Sequence, residues 1–237
     1  WRIKSATVSM NRSNEYYISI LFEYEDIPVR LASKQSSLAI GLDYKSDGLY
    51  ADSNGKVGSN HCYFRESEKQ LARAQRKLSR RVGSAKNERK SHNYMKQLAR
   101  VNRIHRRIAN QRLDNLHKTS AMLAKQYDIV CVEDLNMKSL SNKGFGNGKS
   151  TMDNGYGMFL VMLEYKLKRK GGHLVKVSKW YPSSQLCSVC GKKHPEMKIV
   201  KHNLKQEYLV CDCGNRMQRD LNAAKNILNE GLRILRS

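Results

Sequence analysis

Two hydrophobic periods run along this chain, and they fall in separate blocks. Period two comes first: residues 6–10 and 16–24, rich in β-branched and aromatic side chains, flank Asn11-Arg12-Ser13-Asn14 and predict an antiparallel hairpin. A lone hairpin is marginal in water, so its partners are expected elsewhere. The strand pattern begins at once after Trp1, and the chain reads as the C-terminal part of a longer one. Residues 27–37, with Pro28 and a polar run, read as a linker. Three short runs then predict strands in a meander, at 38–43, 48–53 and 59–64, with turns at 45–47 and at Asn54-Gly55-Lys56.

A helical period takes over at residue 66. One basic helix is expected over 66–82, broken at Gly83-Ser84, and a longer one over 87–126. The apolar face of the second passes through Leu98, Val101, His105, Ile108, Leu116 and Leu123. An apolar strand at 128–133 follows, then a polar loop from 136 to 154. Within that loop Gly144-Phe145-Gly146-Asn147-Gly148-Lys149-Ser150 is similar to a phosphate-binding loop, but Lys143 stands where the first glycine belongs. A helix at 158–170 capped by Gly171-Gly172, a strand at 173–177 and a last helix opened by Asp220 complete the pattern.

Charge narrows the choice of partner. The 237 residues carry 44 Lys+Arg against 21 Asp+Glu, a formal net charge of +23. Such an excess calls for a polyanion, either nucleic acid or an anionic membrane. No apolar stretch has membrane-spanning length and the basic residues are spread through the chain, so nucleic acid is the expected partner and no membrane is. On the long helix Arg100, Arg103, Arg106, Arg107, Arg112 and Lys118 form a face of one sign. A solvated surface helix is the plain reading of a charge run. A face of like charges repels itself unless phosphates neutralise it, which favours nucleic-acid contact.

Two constellations carry chemistry. Cys187-Ser188-Val189-Cys190-Gly191 and Cys211-Asp212-Cys213-Gly214 are knuckles whose four thiolates can close a tetrahedron on Zn²⁺. A full cysteine set leaves no open position, so the zinc is expected to be structural; His194 and His202, between the knuckles, read as surface histidines. Four clustered thiols without a secreted disulfide framework fit a reducing, cytoplasmic setting. The second constellation is acidic. Asp43 and Glu133 end apolar strands and Asp220 opens a helix. Singly, each reads as a turn or cap residue. Together they suit hard divalent cations, two of which at about 3.5–4 Å can activate water and stabilise a leaving oxygen in phosphodiester cleavage. Spacing alone leaves their convergence open.

These same residues carry a resemblance. Ile40-Gly41-Leu42-Asp43, Val132-Glu133-Asp134-Leu135, the run from Trp180-Tyr181-Pro182-Ser183-Ser184-Gln185 to Cys187 and Cys190-Gly191, the helix segment 108–118 and Arg219-Asp220-Leu221-Asn222-Ala223-Ala224-Lys225-Asn226-Ile227 are similar to TnpB proteins, transposon-encoded RNA-guided DNA endonucleases. The resemblance implies an α/β RNase H-like (RuvC) mixed sheet with flanking helices, an inserted zinc ribbon and an N-terminal hairpin left from a wedge β-barrel. It divides the chain into 1–37, the end of the barrel and a linker; 38–179, the nuclease core with a basic helical insert at 66–126; 180–216, the ribbon; and 217–237, the final RuvC helix. It assigns Asp43, Glu133 and Asp220 to catalysis with Mg²⁺, and Cys187, Cys190, Cys211 and Cys213 to zinc. Target DNA and a guide RNA are the implied partners.

The chain departs from that pattern in two places. Gln218 stands where the family usually has an acid, and most of the wedge and the recognition helices lie outside the sequence. Two other functions fit the same residues: a fragment that grips nucleic acid without cutting, and a transposase performing strand transfer on an RNase H-type fold.

Overall fold

The computed structural model describes residues 1–11, 15–25, 29–59, 61–82, 91–140, 148–197 and 207–237. The hairpin turn at 12–14, the helix break at 83–84, residues 141–147 of the polar loop and His202 lie outside them. The chain divides into two compact units, one of residues 1–28 and 62–114, the other of 29–61 and 115–237.

In the first unit, β1 (Arg2–Met10) and β2 (Tyr16–Glu23) pair antiparallel from Arg2↔Glu23 to Met10↔Tyr16. Every residue of both strands is exposed. The helix α1 (Tyr63–Ser79) packs on the first part of α2 (His92–Gln126) through Leu71, Ala74 and Val101, and Gln97 donates to the Ala74 carbonyl at 2.9 Å. The expected strand at 59–64 is not formed. Backbone bonds from Leu49 to Gly58 and from Gly58 to Tyr50 end the pairing early, at residue 58. Cys62 takes a left-handed φ of 48° and Tyr63 and Phe64 already belong to α1. His105 is exposed as well; Ile104 joins Val101 on the buried face instead, one helical turn apart.

The second unit is built on a four-stranded mixed sheet in the order β4-β3-β5-β6, with β3 at Ala39–Tyr44, β4 at Tyr50–Asp52, β5 at Ile129–Glu133 and β6 at His173–Val177. The β3–β4 pair is antiparallel, so only two strands of the expected meander exist; β3 pairs parallel with β5, and β5 with β6. Ile129, Val130, Cys131 and Val132 are fully buried, as a central strand covered on both faces requires.

Strand alternation sorts the sheet residues between two layers. Ile40, Leu42, Val130 and Val132 face Leu116 and Leu123 of α2 and the helix α5 (Tyr156–Lys170), whose Phe159, Leu163 and Leu167 repeat at helical spacing. Each such side chain contributes about 1.5–3 kcal/mol by leaving water. Ile129, Cys131, Val175 and Val177 face α6 (Arg219–Arg236) through Ile227. At Gly41 a Cβ would collide with the Ala224 carbonyl and with Leu228, so only glycine lets α6 lie this close to β3. The stretch read as polar loop is partly helical: α3 spans Met137–Leu140 and α4 spans Gly148–Asn154, with Thr151, Asp153 and Asn154 buried. Two further strands, β7 (Tyr208–Val210) and β8 (Arg216–Gln218), form a small antiparallel pair leading into α6.

Candidate active site and cysteine cluster

The parallel register of β3 and β5 pairs Leu42 with Val132, so Asp43 and Glu133 follow side by side at the C-terminal edge of the sheet. Both share strand parity with Gly41 and Cys131, which places them on the α6 layer. Asp220 lies in the first turn of α6, where a negative charge suits the helix dipole. The three acids therefore reach one region from three elements. Burial pushes the Asp43 carboxyl up to about 8, and the charges of Glu133 and Asp220 add to it, while Arg219 and Lys45 work against them. Burial also raises Glu133 to about 7.

Cations neutralise part of this charge. Lys45 Nζ stands 2.7 Å from Asp220 Oδ2 and 3.5 Å from Asp47, and Arg219 lies 3.6 Å from the other Asp220 oxygen. The loop that carries Lys45 is held by Asn154, whose amide donates toward the Tyr44 hydroxyl and the carbonyls of Lys45 and Gly48 at 3.3–3.4 Å. Asn154 also accepts from the Tyr156 backbone N–H at 3.1 Å. Tyr156 is fully buried, packs on Tyr44 at 5.0 Å and has a hydroxyl without a hydrogen-bond partner among the described residues. Burial and then the charges of Asp43 and Glu133 hold that phenol well above its ordinary range. Lys45, Asn154 and Tyr156 have no local sequence signal, and the periodicity pointed to none of them.

The cysteine cluster converges more tightly. Among the described residues, the Sγ atoms of Cys187, Cys190, Cys211 and Cys213 all lie within 4.8 Å of one another. Cys187 and Cys213 are 3.7 Å apart and Cys190 and Cys211 3.5 Å apart. Four sulfurs about 2.3 Å from one zinc would stand roughly 3.8 Å apart, so the spacing is compatible with a zinc site. Each knuckle closes with a glycine at positive φ, 75° at Gly191 and 85° at Gly214, whose N–H returns to the carbonyl of Cys187 or Cys211 at 2.9 Å. Burial works to raise the Cys187 thiol, but bonds from the Cys190 backbone, Asn215 and the Val189 backbone bring it down to about 6. His194 is buried rather than on the surface, and its backbone N–H donates to the Gln185 carbonyl at 2.7 Å.

The helix α6 joins the two constellations. Two and six residues beyond Asp220, Asn222 and Asn226 are buried and grip the segment before the first knuckle. Asn222 accepts from the Ser188 N–H at 2.9 Å and donates to the Leu186 carbonyl at 2.6 Å. Asn226 donates to the carbonyls of Ser183 and Leu186, both at 2.7 Å. On α2, Arg100, Arg103 and Arg107 are exposed in the first unit and Lys118 in the second. Arg106 is engaged within the first unit, 3.1 Å from Glu15 and 4.9 Å above the Tyr17 ring, and Arg112 is half-buried. Among the described residues no helix is long and apolar enough to cross a membrane.

The family OrfB_IS605, "Probable transposase", matches residues 19–143, and the Cas12f1-like TNB domain matches residues 156–227. A Streptomyces pristinaespiralis protein whose name proposes an RNA-guided DNA endonuclease is 33% identical over 96% of this chain and 53% of its own length. Its Escherichia coli K12 counterpart InsQ is 32% identical over 98% of the chain and 58% of its own. TnpB-like protein L79 of Acanthamoeba polyphaga mimivirus is 32% identical over 56% of the chain and 25% of its own. The chain thus spans about half the length of the fuller curated relatives it matches. In fold it is similar to a Cas12f1 chain solved with sgRNA and target DNA, at a TM-score of 0.55 and 18% identity over 94% of this chain and 55% of that one. With more than half of its residues inside the OrfB_IS605 match, and with a TnpB-like protein among its relatives, the chain belongs to the OrfB_IS605, TnpB-like family.

Proposed function

We propose that this chain is the nuclease-bearing part of an RNA-guided DNA endonuclease, with a RuvC-like core, a zinc ribbon over 180–216 and an active site formed by Asp43, Glu133 and Asp220. The observation that carries the reading is the placement of three acids from β3, β5 and α6 in one region, close enough that Glu133 and Asp220 raise Asp43. The names of its relatives support DNA as substrate and RNA as guide. Cys187, Cys190, Cys211 and Cys213 would hold Zn²⁺ as a structural ion.

The acids are hard oxygen donors of the kind that Mg²⁺ selects, and they suit the ion chemically. Two such ions, when bound, supply charge that activates water and stabilises the leaving oxygen in hydrolysis. The chain's own residues set the conditions. Burial raises Asp43 to about 8 and Glu133 to about 7, so both bind protons more readily than ordinary acids and must release them to act as ligands. Lys45 must turn away from Asp220 to free its second oxygen. Asn154 keeps the Lys45 loop in reach, and the buried Tyr156 lies near enough to feel the charges of Asp43 and Glu133. The exposed Arg100, Arg103, Arg107 and Lys118 would take phosphates.

The test is cleavage of end-labelled single-stranded DNA in Mg²⁺ by the 237-residue chain, beside Asp43→Ala, Glu133→Ala and an EDTA control. Cleavage that falls at least about a hundredfold in all three is expected. Cleavage that persists in both variants would overturn the assignment of the acids. Salt-sensitive DNA binding without cleavage in the parent chain would support a binding fragment instead.

A further inference from the structure

The acids do not explain the surface just beyond them. At the end of β6, Val177 is in register with Glu133, and the chain continues through Ser178 and Lys179 to Trp180. Trp180 is 82% exposed, although its backbone N–H donates to the Ser178 hydroxyl at 3.3 Å. It stands at the lip of a cleft of about 580 Å³ lined also by Asp134, Asn136, Lys176, Lys179 and Ile234. Lys179 Nζ lies 5.0 Å from the ring centroid, and Lys176 is exposed, 3.7 Å from Glu164. A large indole held in water serves no packing purpose here, since its neighbours are charged or polar apart from Ile234 and Leu135.

We propose that this cleft is a base-stacking subsite for a single strand of nucleic acid: one unpaired base lies on Trp180 while its flanking phosphates meet Lys176 and Lys179. Three observations select this occupant. An open aromatic face with adjoining cations is the chemistry that binds unpaired bases without regard to sequence. The lysines complement phosphate, while Asp134 and Asn136 offer polar groups to a base edge, which an aliphatic ligand could not use. The cleft also extends the same sheet edge that carries Glu133, so a strand stacked at Trp180 continues toward the acids. The proposal rests on the nucleic-acid reading above and names a contact that reading does not contain.

The chain has two tryptophans, so Trp1→Phe leaves Trp180 as the sole indole reporter. The full chain carrying Trp1→Phe and Asp43→Ala is titrated in EDTA with oligo(dT), with oligo(dT) containing 5-bromouracil, and with oligo(U). Stacking quenches Trp180 emission at saturation, more strongly with the brominated strand, and the preferred oligonucleotide separates DNA from RNA. Trp180→Ala weakens binding by about tenfold, Trp180→Phe by much less, and Lys179→Ala by a few-fold. Circular dichroism checks that each variant is folded; should Trp180→Ala misfold, the quench and Trp180→Phe decide alone. Emission unchanged at saturating oligonucleotide overturns the proposal, as does quenching by anionic vesicles but not by either oligonucleotide. Quenching in a chain that never cleaves DNA retains the subsite and refutes only the nuclease reading.

Discussion

The acid site and the cysteine cluster answer the same problem, gathering like ligands, in opposite ways. The cysteines approach within 4.8 Å through two local turns that each end on a left-handed glycine. Ordinary thiols carry little charge near neutral pH, and the one brought down, Cys187 at about 6, is held by backbone bonds and Asn215, so the gathering meets little resistance. The acids come from elements far apart in the chain, and they gather against their own charge. Burial first and then Glu133 and Asp220 raise Asp43 to about 8, and Lys45 and Arg219 lean on Asp220. In the function proposed, ligands of the first kind hold the fold together, whereas ligands of the second kind are held in place by the fold.

The sign of a ligand's removal should therefore differ between the two. The largest effect is expected from Cys211→Ser, which leaves three thiolates around a buried position; loss of most of the metal's binding energy, on the order of 10 kcal/mol in small zinc modules, should unfold the knuckle region. Limited proteolysis would then cut within 180–218, and chelation of the parent chain should reproduce the pattern. Asn226→Ala tests the link to α6. Taking this donor from the Ser183 carbonyl, and leaving Leu186 to Asn222 alone, should cost about 2 kcal/mol, seen as a lowered Tm with the cysteines intact.

Asp43→Asn should act in the other direction on the metal-free protein. The folded-state pKa of Asp43, about 8, lies above its ordinary 3.8, so the folded state holds the extra proton and loses stability as pH rises between those values. The amide carries no such cost: its Tm advantage should be absent near pH 4, grow toward pH 8, then level off. A Tm below the parent's at pH 8 would break the comparison. By the same protons, Mn²⁺ affinity at the acids should rise from pH 6 to 8 in the parent. The smallest effect belongs to Lys45→Met, which frees Asp220 and should tighten Mn²⁺ binding a few-fold in calorimetry.

What could be read from the chain follows the same division. The cysteines, β5, β6, α5 and α6 announced themselves by local pattern, because knuckle spacing, an apolar run or a helical stripe is fixed within a few residues. The acids were legible as strand ends, but their meeting depends on the β3–β5 register and on the approach of α6 at Gly41. Lys45 and Asp220 pair across 175 positions, a contact no local pattern encodes. The run at 59–64 misled because the aromatic pair Tyr63-Phe64 cannot tell a strand from a helix start; backbone pairing had ended at Gly58. The polar stretch 148–154 misled in the opposite sense, since its Asn154 is buried by bonding to three groups of the site loop, not by apolar character.

The dual role of α6 also has a genetic consequence. Asp220 in its first turn and Asn222 and Asn226 just behind it place an acid ligand and the anchor of the cysteine segment in one C-terminal helix. A stop codon or frameshift anywhere upstream of Arg219 would remove both at a stroke. Truncation from this end therefore offers no intermediate allele, one that keeps an anchored cysteine module while losing only the acid; such separation of function is open to point substitution alone.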